Sequence, residues 1–328
     1  MKSLSLNLEN TTYPIHIGDT VLHTVSIDTE RDYLLLIDNY FSQAEITKFK
    51  RLFPIKHVIS LEAGESLKSL TNYHRVIREM LAHDFTKNTT IIAVGGGTVG
   101  DFAGFVAATF HRGIPYIQIP TTLLAMVDAS IGGKTALNID TVKNVIGAFH
   151  HPSIVYINPS YLKTLPTTHL ANGFAEIIKI AIINDKTLFN ALNENTLAMD
   201  AIIYQALTNK KQIVEADFFD THKRQLLNFG HTIGHALESY HHFKYYHGEC
   251  IAVGMKQMVK NTEHETTLTA LLEKYNLNIT IPYDKEHLYA LIKHDKKLRK
   301  NQLTLTTIKT IGEGILSTIN ITDIKKYL

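Results

Sequence analysis

The sequence predicts an α/β amino-terminal domain with a mainly parallel sheet, followed by a mostly α-helical carboxyl-terminal domain. Before about residue 158, short apolar runs alternate with helical segments, and after about residue 160 helical periodicity dominates. The chain of 328 residues is also longer than a domain built around one small hydrophobic core. We therefore expect two domains, residues 1–158 and 159–328.

Five strand-length runs rich in branched side chains define the first domain. They are residues 33–37, 57–61, 90–94, 116–119 and 154–157. Several carry apolar side chains on both faces, as a sheet covered by helices on both sides requires. The first eight residues alternate like a further strand.

The second domain is predicted from four long helical stretches. They lie near residues 168–184, 196–217, 225–242 and 249–275. Only the tail, residues 302–308 followed by glycines at 312 and 314, is typical of a β-hairpin.

Composition excludes several classes of protein. The 33 Lys and Arg and 31 Asp and Glu give a net charge of +2 without a basic patch, so no nucleic-acid role is indicated. The single cysteine, Cys250, excludes an internal disulfide and suits a reducing compartment. No apolar run approaches the roughly 18 residues of a membrane span, and the amino terminus lacks signal-peptide features. We expect a cytoplasmic protein without membrane association.

A glycine-rich turn directly follows the run at residues 90–94. Gly95, Gly97 and Gly100 fit Gly-x-Gly-x-x-Gly between a strand and a helix, which is the Rossmann-like arrangement for holding a pyrophosphate. The alternative is a turn that serves packing alone. No acidic residue for the ribose follows about 20 positions later, and Asp38 is the nearest substitute.

A second phosphate-like segment, residues 132–135, ends in Gly-Lys-Thr. A Walker A loop needs a glycine where this chain has Asp128, so an ATPase is disfavoured. Asp128, Lys134, Lys143 and Asn144 are instead expected to form a polar wall in a turn rich in small residues.

Three potential metal ligands, Glu176, His231 and His247, lie on separate helical stretches. One carboxylate with two imidazoles is a donor set of catalytic zinc sites, which leave one position open. His231 and His235 also share a helical face, but Thr232 stands where a metalloprotease needs its general base. Proteolysis is therefore disfavoured.

Several long blocks together resemble the 3-dehydroquinate synthase family of sugar phosphate cyclases. They are residues 95–113, 120–135, 173–179 and 226–235, with 247–249 and 295–297. The resemblance implies an NAD-binding α/β domain, an α-helical domain that binds a divalent zinc or cobalt ion, and an active site in the cleft between them.

The resemblance also assigns individual residues. The metal ligands would be Glu176, His231 and His247. NAD would be approached by Asp38, Glu65, Lys68, Gly97, Thr98, Val99, Gly100, Asp101, Thr121, Thr122, Lys134 and Lys143. The substrate side would comprise Asp128, Lys134, Asn144, Lys179, Lys210, Arg224, Asn228, His235 and one or both of Lys296 and Lys297. Arg112 would reach the phosphate of a neighbouring subunit's substrate, which implies a homodimer. Thr98 departs from the family pattern, which usually has an aliphatic residue there.

The implied substrate is a phosphorylated sugar acid, 3-deoxy-D-arabino-heptulosonate 7-phosphate. The implied reaction, a step of aromatic amino acid biosynthesis, passes through oxidation, phosphate elimination, re-reduction, ring opening and aldol closure to 3-dehydroquinate. His235, with Asp128, is the expected proton-transfer group, because a neutral imidazole can serve near pH 7. The basic residues suit the substrate's carboxylate and phosphate.

Three alternatives remain at this stage. A metal-dependent polyol or glycerol dehydrogenase would release NADH stoichiometrically and has no need for Lys210, Arg224 and Asn228 around a carboxylate. Another sugar phosphate cyclase would act on a substrate without that carboxylate. A non-catalytic protein that keeps the fold is disfavoured by the retained ligand and basic positions.

Overall fold

The structure is a computed structural model that describes residues 1–8, 11–140, 142–293 and 301–328. By its internal contacts the chain divides into two compact units, residues 1–165 and 166–328. The short 3-10 helix Pro159–Thr164 belongs to the first unit.

The first unit contains a seven-stranded sheet. Its strands are β1 (Lys2–Leu8), β2 (Thr11–Ile17), β3 (Asp32–Asp38), β4 (Ile55–Leu61), β5 (Thr89–Gly95), β6 (Tyr116–Pro120) and β9 (Ile154–Ile157). Their order is β1-β2-β9-β6-β5-β3-β4, and only β1 and β2 pair antiparallel. All five predicted strands and the predicted amino-terminal strand are confirmed.

Both faces of this sheet are buried, as the apolar runs predict. Leu34 and Leu36 of β3 enter one hydrophobic cluster, while Leu35 and Ile37 enter another on the opposite face. The helices of this unit are α1 (Gln43–Leu52), α2 (Leu70–Ala82) and α3 (Gly97–Thr109). The alternation of side chains along a strand thus gives β3 a core on each side.

A hairpin that the sequence analysis did not predict lies beside α3. Strands β7 (Lys134–Ile139) and β8 (Val142–Phe149) pair antiparallel across the segment expected to be a polar turn. Thr135 approaches Gly104 of α3 so closely that any side chain there would collide with it. A lysine at the start of a strand, and not of a helix, also agrees with the rejection of a Walker A loop.

The second unit is mostly helical, as predicted. Its helices are α4 (Thr167–Asn184), α5 (Lys186–Glu194), α6 (Met199–Ala216), α7 (His231–Tyr240), α8 (His247–Met258), α9 (Glu265–Lys274) and α10 (Lys285–Lys293). The tail forms the predicted hairpin from β10 (Gln302–Thr310) and β11 (Glu313–Asn320).

Two of the predicted helical stretches are wrong in detail. The stretch at 249–275 is interrupted by a turn between α8 and α9, in which Asn261 takes a left-handed backbone conformation (φ 61°). The stretch at 225–242 is the short 3-10 helix Lys223–Asn228 followed by α7, separated at Gly230 (φ 76°). Helices α5 and α10 were not predicted.

Three close contacts between helices position the site of the second unit. A side chain at Gly254 of α8 would collide with the carbonyl oxygen of Gly230, so α8 lies directly against the start of α7. A side chain at Gly248 would come within 2.5 Å of the carbonyl oxygen of Asn172 on α4. At Gly234 it would come within 2.6 Å of Ile251. Small residues therefore let α8 pack closely against both α7 and α4.

Across the described ranges, no helix combines the length and the apolar character that crossing a membrane requires.

Candidate metal centre and nucleotide site

The three predicted metal ligands come together in the second unit. Glu176 lies inside α4 and is 3% exposed, whereas His231 and His247 are the first residues of α7 and α8. Nε2 of His231 is 3.6 Å from Oε1 of Glu176, and Nε2 of His247 is 3.4 Å from the same oxygen. Two imidazole nitrogens from two helices thus face one carboxylate oxygen from a third.

This arrangement fits a divalent cation. Within the described part of the chain, the buried Oε1 of Glu176 has no hydrogen-bond partner, and a buried carboxylate oxygen is costly unless something compensates it. Tetrahedral zinc with bonds of about 2.0–2.1 Å holds its ligand atoms about 3.3 Å apart, close to both distances here. The donor set, oxygen with two imidazole nitrogens, suits zinc or cobalt.

The electrostatics of the cluster shift the pKa values of all three predicted ligands. Burial raises the pKa of Glu176, but the charges of Lys179 and His231 and the nearby His247 outweigh it, so this pKa lies well below its ordinary value. Burial, with Lys179, lowers the pKa of His231 well below its ordinary value. Burial also lowers the pKa of His247, but its contacts with Glu176 and Glu238 raise it to about 10. An anionic Glu176 and a neutral His231 are the protonation states that bind a metal.

Lys179 lies one helical turn after Glu176 and is 2% exposed. Its ammonium contacts Oε2 of Glu176, on the other side of the carboxylate from the two histidines. The resemblance placed Lys179 on the substrate side, and here it also fixes the orientation of a predicted metal ligand.

His235 joins the same cluster, one turn after His231 on α7. The ring nitrogens of His231, His235 and His247 could provide three ligand atoms within 4.8 Å of one another. This limit of 4.8 Å is wider than the 3.6 Å and 3.4 Å that separate Oε1 of Glu176 from His231 and His247. Nε2 of His235 instead faces Glu238 at 3.9 Å, and its side chain is 44% exposed. His235 is thus placed beside the metal position with access to solvent.

The remaining predicted substrate residues of this unit include two buried cations, Lys210 and Arg224, each 4% exposed. Arg224 donates from Nη1 to the carbonyl oxygen of Phe218 at 2.8 Å. Asn228 ends the 3-10 helix that carries Arg224. Lys296 and Lys297 lie outside the described residues.

Asp217 holds the loop that carries Arg224. Its carboxylate accepts hydrogen bonds from the backbone N–H groups of Thr221, His222 and Arg224. Burial raises the pKa of Asp217, but these hydrogen bonds outweigh it and lower the pKa to about 2. The sequence analysis missed Asp217, although an aspartate before a short turn is a common sign of such a loop.

In the first unit, the glycine-rich turn joins β5 to α3 as predicted. Gly96 stands at the cap position before α3, and a side chain at Gly95 would come within 2.8 Å of Val99. Gly100 packs against Gln118 too closely for any side chain. The turn therefore keeps backbone N–H groups at a helix N-terminus unshielded by side chains, which suits a phosphate.

Lys68 links three of the predicted positions in the first unit. It is 2% exposed, and its ammonium donates to Oδ2 of Asp101 at 2.6 Å and to Oδ1 of Asn144. Asn144 has a left-handed backbone (φ 53°), and its N–H donates to Oδ1 of Asn138 at 2.8 Å. Burial raises the pKa of Asp101 although Lys68 opposes the shift. The hairpin β7–β8, the start of α3 and the loop before α2 are held together here.

Thr98, the residue that departs from the family pattern, forms a side-chain hydrogen bond. Oγ1 of Thr98 accepts a hydrogen bond from the N–H of Gly64 at 3.2 Å, which ties the start of α3 to the loop that carries Glu65 and Lys68. On that loop, Glu65 lies 3.8 Å from Nζ of Lys143. An aliphatic residue at 98 could not make the contact with Gly64.

The other residues predicted to approach NAD differ in burial and in hydrogen bonding. Val99 is fully buried, backbone included. Thr121 donates its N–H to the carbonyl oxygen of Gly95, and Oγ1 of Thr122 accepts from the N–H of Ala125. Asp38 is at the end of β3, where burial raises its pKa despite a hydrogen bond from Tyr40.

Three more predicted residues of the first unit lie outside the seven-stranded sheet and its α-helices. Asp128 is in a π-helical turn, Ala125–Ala129, and Lys134 begins β7. Arg112 is exposed, with a left-handed backbone (φ 67°), just after α3.

The fold and the donor sets define a two-unit protein with a nucleotide-type turn in one unit and a divalent-metal cluster in the other. Residues 58–172 match the profile described as 3-dehydroquinate synthase N-terminal, and residues 173–298 match 3-dehydroquinate synthase C-terminal. The chain belongs to the 3-dehydroquinate synthase family.

Curated relatives agree over the full length. The 3-dehydroquinate synthase of Clostridium acetobutylicum is 36% identical, with 100% of this chain and 99% of the relative covered. That of Latilactobacillus sakei is 35% identical, covering 100% and 98%.

Solved structures share the fold. A 2-deoxy-scyllo-inosose synthase complexed with carbaglucose-6-phosphate, NAD+ and Co2+ superposes with a TM-score of 0.88 at 25% identity, covering 99% of this chain and 98% of its own. A glycerol dehydrogenase from Schizosaccharomyces pombe reaches a TM-score of 0.60 at 16% identity, covering 95% and 87%, and shares the fold alone.

Proposed function

We propose that this chain is a 3-dehydroquinate synthase that converts 3-deoxy-D-arabino-heptulosonate 7-phosphate to 3-dehydroquinate and phosphate. The observation that carries the proposal is the Glu176 oxygen that faces Nε2 of both His231 and His247, in a chain of this family. The two profiles together span residues 58–298 and include every residue of this cluster.

The metal would be held by Glu176, His231 and His247. Zinc and cobalt both suit the donor set, and the related 2-deoxy-scyllo-inosose synthase binds Co2+. NAD, which the same relative binds, would lie with its phosphates at the start of α3. The residues proposed to surround it are Asp38, Glu65, Lys68, Gly97, Thr98, Val99, Gly100, Asp101, Thr121, Thr122, Lys134 and Lys143.

When bound, the metal supplies Lewis acidity that acidifies a coordinated hydroxyl, and NAD accepts a hydride and returns it. The chain's own residues do the rest. Lys179 keeps the Glu176 carboxylate turned toward the histidines. His235, beside the metal position and solvent-accessible, is proposed to transfer protons, with Asp128 as its counterpart in the first unit.

The buried cations of the second unit suit the charge of the proposed substrate. Among the described residues of the second unit, three cationic side chains are buried, Lys179, Lys210 and Arg224, against two carboxylates, Glu176 and Glu238. A phosphorylated sugar acid carries a carboxylate and a phosphate, and both are anions that lysine and arginine bind well. The planar guanidinium of Arg224 suits the substrate carboxylate, and the lysines suit its oxygens and phosphate.

The homodimer and the cytoplasmic location are part of the proposal. Exposed Arg112 would reach the phosphate of the substrate bound to the second copy. The buried Cys250, the single cysteine, fits a reducing compartment.

The test is phosphate release from the heptulosonate phosphate by metal-loaded protein with NAD, while absorbance reports NADH. We expect phosphate without net NADH, and loss of activity when a chelator removes the metal. Net NADH from a polyol without phosphate release would instead assign a dehydrogenase.

A further inference from the structure

Glu238 is a buried carboxylate that the proposed reaction does not yet use. It lies on α7, seven residues after His231 and three after His235, so all three share one helical face. It is 6% exposed and, with Glu176, makes up the buried carboxylates among the described residues. A carboxylate in such a place needs specific partners to offset its lost hydration.

Its partners are two histidines of the metal cluster. Oε1 of Glu238 is 3.4 Å from Nδ1 of His247, and Oε2 is 3.9 Å from Nε2 of His235. The opposite nitrogen of His247, Nε2, is 3.4 Å from Oε1 of Glu176. The His247 ring therefore lies between two carboxylates, one at each nitrogen.

We infer that Glu238 is a positioning residue that holds the Nδ1–H of His247 and thereby aims the lone pair of Nε2 at the metal. The inference rests on the proposed metal site. A carboxylate that accepts the second N–H of a ligating imidazole fixes both its tautomer and the orientation of its ring.

The location of His247 makes such support necessary. His247 is the first residue of α8, it is followed by a glycine, and its side chain is 28% exposed. The backbone is held, because the N–H of Gly248 donates to Oδ1 of Asn172. The ring itself is only partly enclosed, so contact with Glu238 limits its rotation.

The second oxygen of Glu238, Oε2, positions another histidine. It faces His235, the proposed proton-transfer group, so one carboxylate braces a metal ligand and the neighbouring imidazole together. The sequence carried a sign of this in the spacing of His231, His235 and Glu238 along one face of α7.

The experiment measures metal affinity of the full-length protein directly, without turnover. Zn2+ affinity is obtained by competition with a chromophoric chelator, and Co2+ binding is followed by its visible absorption. The variants are E238A, which removes the contact, and E238Q, whose amide oxygen can still accept from Nδ1–H. The control is E249Q on α8. Glu249 caps its helix by accepting from the N–H of Tyr246, a role that glutamine keeps.

We expect E238A to bind Zn2+ about 10–100-fold more weakly, with an altered Co2+ spectrum, as loss of a carboxylate behind a metal-bound histidine does elsewhere. E238Q should lose less, and E249Q should bind as the parent protein does. Parental affinity and spectrum in E238A would overturn the inference. If E238A does not fold, E238Q decides: weaker binding than E249Q supports the inference and equal binding rejects it. A parent protein that binds no metal would reject the proposed metal site and this inference with it.

Discussion

Lys179 contacts one oxygen of the Glu176 carboxylate, while the other oxygen faces the Nε2 atoms of His231 and His247. Both residues are almost fully buried, one helical turn apart on α4. The ion pair therefore does two things at once. It compensates part of the buried negative charge of Glu176, and it holds the carboxylate so that Oε1 faces the metal position.

Replacement of Lys179 by methionine tests this relationship. Without metal, K179M should lose about 3–5 kcal/mol of unfolding free energy, because removing one partner leaves a buried charge uncompensated. Added Zn2+ should recover part of the loss, since the cation faces the same carboxylate. Urea unfolding with chelator and with Zn2+ measures both effects.

The control is K211M, which removes the more exposed pair of Lys211 with Glu215, 3.8 Å apart on α6. Such a pair contributes about 0.3–0.5 kcal/mol. A loss in K179M no larger than in K211M would show that the buried pair does not stabilise the unit.

Lys68 should matter to both the stability and the ligand binding of the first unit. In K68M, partly buried Asp101 and exposed Asn144 lose their shared partner, so we expect a loss of about 1–3 kcal/mol and weaker NAD binding. Denaturant unfolding and calorimetric titration with NAD give the two quantities. K56M removes an exposed pair with Asp32 and should cost less than about 1 kcal/mol. NAD affinity unchanged in K68M would remove Lys68 from the nucleotide site.

The Asp217 loop predicts a dependence of stability on pH. The folded-state pKa of Asp217, about 2, lies below the ordinary 3.8. Its contribution is therefore complete above about pH 4 and is lost as pH falls from 3.8 toward 2. Because the group is largely solvated, we discount the effect to about 1 kcal/mol.

The comparison is between the parent protein and D217A. Their difference in unfolding free energy, measured in urea at pH 7, 5, 4 and 3, should be constant down to about pH 4 and then narrow. A difference that persists unchanged to pH 3 would mean that the carboxylate charge is not what holds the loop.

Gly254 should be intolerant of a methyl group. In G254A the new side chain would collide with the carbonyl oxygen of Gly230 and push α8 from α7. Overpacking of this kind costs about 1–3 kcal/mol. Because His231 and His247 begin these two helices, metal affinity should fall as well. Thermal unfolding measures the stability and chelator competition measures the metal affinity. Unchanged metal affinity in a destabilised G254A would show that this packing contact does not position the metal ligands.

The parts of the structure that were predicted best have a strong local pattern or lie in a long sequence segment shared with the family. The strands β3, β5 and β9 are largely buried on both faces, which few other structures require. Glu176, His231 and His247 lie in long sequence blocks shared with the family, and the structure brings them together. Their roles as ligands remain a prediction.

The misses have physical reasons. The hairpin β7–β8 mixes glycine, lysine and asparagine, so its pairing depends on packing against α3, which a local pattern does not report. The break between α8 and α9 is a short turn that contains the left-handed residue Asn261, and helical periodicity does not report such a turn. Glu238 was overlooked because its importance arises only when α8 places His247 opposite α7.

The most direct test of the account is the metal content of the purified protein and two of its variants. We predict one bound divalent ion per chain in the parent protein, retention of that ion in H235A, and its loss in E176Q. Retention in E176Q with loss in H235A would contradict the account and would assign the ion to His231, His235 and His247 instead.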